Sequence, residues 1–153
     1  MKIYVTGNTS GLGKATQEVL QGAGYHVDGG SKRTGMDITD PDVVELITTN
    51  GYDVLVNNAY HCTGQLELLK SVYAAWQGQN KTIVNVGSAY MHRTGRPFER
   101  LNYNTAKVAL TNYSHWIADN DAHCRSMMFN PGYIETPLGV EGRWEGTDEI
   151  RGL

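Results

Sequence analysis

The stretch Lys2-Ile3-Tyr4-Val5-Thr6-Gly7-Asn8-Thr9-Ser10-Gly11-Leu12-Gly13-Lys14-Ala15-Thr16 decides the fold. Lys2 to Val5 is a short β-prone run that reaches a turn at Thr6-Gly7. Beyond it, Leu12, Ala15, Thr16, Val19, Leu20 and Ala23 recur at helical spacing, and Gly24 stands where a C-terminal cap belongs. A strand, a glycine-rich turn and a helix in that order form a place where a dinucleotide pyrophosphate meets free backbone N–H groups and the positive end of a helix dipole. One glycine makes the tight turn, one admits the phosphate to the backbone, and one lets helix pack on strand. The spacing here is Gly-x3-Gly-x-Gly rather than Gly-x-Gly-x2-Gly, and plain turns use glycine too. Gly7, Thr9, Ser10, Gly11, Leu12 and Gly13 are the candidate phosphate-loop residues.

Outward from this loop, strands and helices alternate. Tyr25 to Gly29 reads as a second strand, and Thr39-Asp40-Pro41 as a helix start with an N-cap acid and proline in the first turn. Val43, Val44 and Ile47 give that helix its buried side, and Asn50-Gly51 ends it. Asp53 to Val56 is apolar without alternation, as in a strand covered on both faces. Leu66 to Trp76 reads as helix, Thr82 to Val86 as strand, Asn102 to Ile117 as helix and Arg125 to Phe129 as a last strand closed by Pro131-Gly132. This is an α/β pattern, a doubly wound, Rossmann-like parallel sheet. Between Gly30 and Asp37 there is no room for a crossover helix, so Met36-Asp37-Ile38 is expected as an abbreviated third strand, a stub beside the sheet. Residues 1–137 form one domain, and 138–153 form a Gly-rich, charged tail expected to be loosely held.

Composition removes whole classes of function. A chain of 153 residues is a one-domain length, and at that size folding hides roughly 70% of the chain's surface without covalent staples. Hydrophobic residues make up 40% and charged residues 19%, with 13 Lys plus Arg against 16 Asp plus Glu. A net charge of −3 leaves no electrostatic footprint for nucleic acid. The longest apolar run, Val72 to Trp76, is far too short to span a bilayer, and the N-terminal run lacks a secretory signal's apolar stretch. Cys62 and Cys124 cannot make a disulfide framework, so a reducing, cytoplasmic setting is expected, with Cys62 as a small apolar packer.

Four further segments arrive in an order that resembles the short-chain dehydrogenase/reductase family. Asn57-Asn58-Ala59-Tyr60 ends a strand and resembles the family's Asn-Asn-Ala-Gly element, with tyrosine in place of the last glycine. Ile83-Val84-Asn85-Val86-Gly87-Ser88 is similar to the strand that delivers a catalytic serine, and Tyr103-Asn104-Thr105-Ala106-Lys107 to the Tyr-x3-Lys helix motif. Asn130-Pro131-Gly132-Tyr133-Ile134-Glu135-Thr136-Pro137 resembles the loop that closes over a nicotinamide. Any one of these is weak alone, and five in order on suitable elements are hard to obtain by accident. The resemblance runs from Ile3 to about Leu138 in a chain much shorter than the family's usual length. Relative to the family, the final helix and edge strand, and the helix between the second and third strands, are expected to be missing.

The resemblance implies an NADP-dependent oxidoreductase acting on a small carbonyl or secondary alcohol, with an NADP-binding sensor or scaffold of little turnover as the alternative. Tyr103 and Lys107 lie four apart and so share a helix face. A free phenol ionises near pH 10, and a neighbouring ammonium favours the phenolate. By resemblance Tyr103 moves a proton, Lys107 holds the nicotinamide ribose, and Ser88 donates a hydrogen bond to the oxygen where charge develops. His61-Cys62-Thr63-Gly64 stands where the family has an Asn-x-x-Gly helix start, which makes His61 a fourth catalytic candidate or a plain helix-start residue. About 20 residues beyond the glycines an NAD site carries an acid, whereas this chain has Ser31-Lys32-Arg33, which suits a 2′-phosphate and favours NADP over the alternative NAD. Asp37 and Ile38 fall by resemblance over the adenine, with Asn57, Asn58 and Ala59 along the dinucleotide and Pro131, Gly132, Ile134 and Thr136 at the nicotinamide end. Tyr60, Tyr90, Met91, His92 and Tyr133 are expected at the mouth. Asn112 and Trp116 are expected on the outer face of their helix, where the resemblance implies a homodimer or homotetramer contact.

Overall fold

Ile3, Tyr4 and Val5 are all buried although successive side chains point to opposite faces, so the strand that carries them lies inside a sheet covered on both sides. The computed structural model describes residues 1–92, 101–132 and 134. Its strands are β1 (Lys2–Thr6), β2 (His26–Gly30), β3 (Val54–Asn57), β4 (Thr82–Val86) and β5 (Arg125–Phe129). They pair in the order β2-β1-β3-β4-β5, every pair parallel. The helices between them are α1 (Gly11–Gly22), α2 (Pro41–Thr49), α3 (Gly64–Trp76) and α4 (Leu101–Asn120).

Each face of the sheet has its own apolar layer. Leu12 and Leu20 of α1 pack on Ile3, Val5, Val27, Val56 and Val86. On the opposite face Val43 and Ile47 of α2, Leu68, Leu69, Val72 and Trp76 of α3, and Leu110 and Ile117 of α4 close over Tyr4, Leu55 and Ile83. Val19, on the apolar stripe expected of α1, is 71% exposed, and the helix packs its apolar side on the sheet through Leu12 and Leu20. The expected doubly wound parallel sheet is present in shortened form.

Residues 36–38 are not the expected stub. They take part in no strand pairing, and Met36 N donates instead to Ser31 O at 2.9 Å. A 3-10 turn at Lys32–Thr34 and Gly35 at φ +78° reverse the chain, and Ile38 then drops directly into the core beside α2. Residues 31–35, all that separate Gly30 from Met36, are too few for the crossover that a further parallel strand would need. The start of α2 follows the sequence pattern: the Asp40 carboxylate accepts from Asp42 N at 3.0 Å and Pro41 occupies the first turn.

Both cysteines are free. Cys124 lies in the core, where burial pushes its thiol up to about 11. Cys62 is exposed at φ +43°, so it does not pack as expected; the turn that launches α3 turns it outward. No helix among the described residues is long and apolar enough to cross a membrane. The tail from Leu138, with Tyr133 and Thr136, lies outside the described residues.

Candidate active site

β1 lies between β2 and β3, so the chain leaves it in opposite directions on its two sides, and the carboxyl ends of the strands at such a reversal are where open α/β sheets take their ligands. Five loops meet at that edge. The loop after β1 begins at Gly7, φ +71°, whose N–H donates to Gly30 O at 2.7 Å, and it passes Gly11 at φ +52°. A side chain at Gly13 would collide with the Gly7 carbonyl oxygen and would come within 2.6 Å of Asn58 Nδ2. Close approach is therefore the reason for that glycine. Ser10 caps α1 without a side-chain hydrogen bond, and no acid stands in the first turn, so the N–H groups there are not neutralised by the chain's own carboxylates.

Thr6 fastens this loop to the next. Its buried hydroxyl donates to Val56 O at 3.3 Å and accepts from Asn58 N and Ala59 N at 2.9 Å each, while Asn58 Nδ2 donates to Thr6 O. Thr9 Oγ1 donates to Ser31 Oγ at 3.1 Å, which joins the glycine loop to the loop after β2. Lys32 and Arg33 are exposed in that second loop. Lys32 Nζ lies 3.6 Å from Asp37, whose other oxygen accepts from the backbone and hydroxyl of Thr39. The Thr39 N–H and then its hydroxyl hold the Asp37 carboxyl below its ordinary range, with a smaller contribution from Lys32.

The Ser–Tyr–Lys candidates come together around the end of β4. Ser88 is buried, and its Oγ accepts from Tyr90 N at 3.2 Å. The loop after β5 is bound to it: Gly87 N donates to Phe129 O and Ala89 N to Pro131 O, and Asn130 sits where a Gly87 side chain would be. Lys107, on α4, is 3% exposed and donates to Val86 O and to Gln65 Oε1, both at 2.7 Å. The Tyr103 ring lies edge-on to Tyr60, centroids 4.9 Å apart, and Lys107 Nζ is 5.6 and 5.5 Å from the two rings. Burial brings the Lys107 ammonium down to about 8.

That value has a consequence for stability. Below pH 8 folded and unfolded chains both hold the proton, and the cost of burying the charge is fully present. Between 8 and 10.5 the unfolded chain binds it and the folded chain has released it, so this group stabilises the fold as pH rises through that window. Urea unfolding of wild type and Lys107→Met should show their gap moving by about 2 kcal/mol in favour of wild type between pH 7 and 10. A gap that does not change with pH would contradict the burial.

Other candidates are placed elsewhere. Asn57 is fully buried and faces the α2–α4 side, where its Nδ2 donates to Asn85 Oδ1 and Gln65 O, both at 2.9 Å. Asn85 continues that network to Ser114 and Ser126. His61 is exposed and, with Cys62, lines a groove of about 640 Å³ beside Ile38 and Thr39, between α2 and the start of α3. The described partners of Lys107 are Gln65 and Val86, not His61. Neither Thr6 nor Gln65 stands among the candidates that the sequence motifs mark. Gln65 had a signal: with Leu69, Val72 and Trp76 it falls on one helical stripe, a polar residue where the pattern calls for an apolar one.

No protein-family model and no curated protein match the chain. Solved structures do. A 3-alpha-hydroxysteroid dehydrogenase from Pseudomonas sp. B-0831, complexed with NADH, superposes at a TM-score of 0.74 with 21% identity, covering 100% of this chain and 81% of its own. The chain has the short-chain dehydrogenase/reductase fold. A 3-ketoacyl-(acyl-carrier-protein) reductase from Brucella melitensis, complexed with NADH, gives 0.75 at 20% identity over 91% of this chain and 78% of its own. A short-chain dehydrogenase from Streptomyces avermitilis gives 0.73 at 22% over 99% and 76%. The likeness covers the sheet and the helices on both its faces.

Proposed function

We propose that this chain is an oxidoreductase of the short-chain dehydrogenase/reductase kind, using NADP on a carbonyl or secondary alcohol. The observation that carries the reading is the buried Lys107 ammonium, held among the described residues by neutral oxygens beside the Tyr103 phenol, one of them the carbonyl of Val86, two residues before Ser88. The chain's own features fit a dinucleotide. Gly7 and Gly13 let the loop lie directly against Asn58, the first turn of α1 carries no competing acid, and among the described residues nothing lies within 4 Å of a side chain built at Gly132. Gly7, Thr9, Ser10, Gly11, Leu12 and Gly13 would hold the pyrophosphate, and Asn58, Ala59, Pro131, Gly132 and Ile134 would line the path to the nicotinamide. When bound, a nicotinamide dinucleotide supplies or accepts the hydride.

Tyr103 gives a proton to, or takes one from, the substrate oxygen at its phenolic oxygen. Ser88 donates a hydrogen bond to the same oxygen as charge develops there. Lys107 keeps one ammonium proton for the ribose, because its two described hydrogen bonds use the others. Tyr60 stands edge-on against Tyr103, the ring proposed to meet the substrate. That crowding is what favours the second reading, a dinucleotide-binding protein with little turnover.

The preference for NADP rests on Lys32 and Arg33, which are exposed beside the Ser31 hydroxyl, and on Asp37, whose carboxylate is taken up by Thr39 and Lys32. Titration calorimetry with NADPH and NADH tests it. Lys32→Ala/Arg33→Ala should weaken NADPH by about tenfold to a hundredfold, the value of charge-assisted hydrogen bonds to a phosphate, and leave NADH within about threefold. Equal losses would overturn the preference, and no association of either dinucleotide with wild type would overturn the whole reading.

A further inference from the structure

Gln65 is the second residue of α3, is 2% exposed, and uses every polar atom of its side chain. We propose that Gln65 is a positioning residue for the Lys107 ammonium, clamping it between the first turn of α3 and the ends of β3 and β4. The inference rests on Lys107 being the ribose-holding residue of the site proposed above.

The orientation of the amide is forced. Its Nε2 donates to Asn57 O at 2.6 Å and to Val86 O at 3.0 Å, the last carbonyls of β3 and β4. A flipped amide would set its oxygen against two carbonyl oxygens and its NH2 against an ammonium. Oε1 therefore faces Lys107 Nζ, and Val86 O receives a second proton from the same ammonium. Asn57 Nδ2 donates to Gln65 O and anchors the backbone of the turn as well. The ammonium is thus fixed by two acceptors, one on α3 and one on β4, and the α3 acceptor is itself tied to the end of β3. Among the described residues neither acceptor carries a charge, and the titratable side chains facing Lys107 are Tyr103 of its own helix and Tyr60 of the loop before α3. A neutral clamp holds the ammonium in place without neutralising it, so its charge stays available to the ligand and to the phenol.

The test reads the clamp on the protein without dinucleotide, so it is independent of calorimetry with NADPH, which tests the site itself. In wild type, the Gln65 side-chain 15N resonance should move through a transition near pH 8, the midpoint expected for Lys107, and the transition should vanish in Lys107→Met. Gln65→Glu should move the Lys107 13Cε midpoint upward by giving it a counter-charge, and Gln65→Met should move it downward by removing an acceptor. In turnover, Gln65→Met should lower kcat by about tenfold or more and move the basic limb of its pH profile with the Lys107 midpoint. A Gln65 resonance that ignores the Lys107 titration overturns the proposal whether or not either variant folds. Folded variants with an unmoved midpoint overturn it equally.

Discussion

Tyr103→Phe should lower kcat/KM by about 10²- to 10⁴-fold, the range in which a positioned acid–base group contributes. The change removes one oxygen and leaves the ring, so the edge-on contact with Tyr60 and the flank of the Lys107 site survive. Dinucleotide affinity should stay within about threefold, because the residues proposed to hold the pyrophosphate sit on other elements. The loss therefore belongs in kcat rather than in binding. Absorbance assays with NADPH over a panel of small ketones and aldehydes provide the measurement. Wild type and Tyr103→Phe turning over alike would reject proton transfer by this phenol. A wild type that binds NADPH and is silent across the panel would favour the second reading, binding with little turnover.

The second large effect is structural. Gly13→Ala should destabilise the fold by about 3 kcal/mol, the upper end for overpacking a rigid site. The new methyl would collide with the Gly7 carbonyl, and neither neighbour is free to yield. Gly7 is held by its hydrogen bond to Gly30 O and by its left-handed backbone, and Asn58 is held by its bond to Thr6 O. Gly22, in the same helix, is the control. Among the described residues nothing lies within 4 Å of a side chain there, so Gly22→Ala should be neutral or should stabilise by about 0.5 kcal/mol. Urea midpoints at constant m-value read both. A Gly13→Ala variant as stable as wild type would mean that close approach does not explain this glycine.

Much of this molecule is legible locally. The strand ending at Thr6, the glycine turn, the Asp40-Pro41 helix start and the Tyr-x3-Lys spacing each express a preference that a few neighbouring residues settle among themselves. So do the continuous apolar strands that called for a sheet covered on both faces. The run at 36–38 forms no strand because strand formation depends on reaching a partner at the sheet edge, and the turn at Lys32–Thr34 sends Ile38 into the core instead. Asn57 was read toward the dinucleotide, since a motif gives the residue type and not the face on which its side chain lands. As the last residue of β3, paired with Asn85, it turns into the network under α3 and α4.

By itself the amino-acid order determined the alternation of elements, the loop that can receive a phosphate and the pairing of phenol with ammonium on one helix face. Those depend on interactions across a few residues. Only the assembled fold decided what surrounds the ammonium: Gln65 reaches it across 42 positions of chain at 2.7 Å, and Val86 O across 21. Such contacts exist only after β3, β4, α3 and α4 have packed, because the chain entropy of bringing distant segments together is recovered by the shared core and not by any local preference.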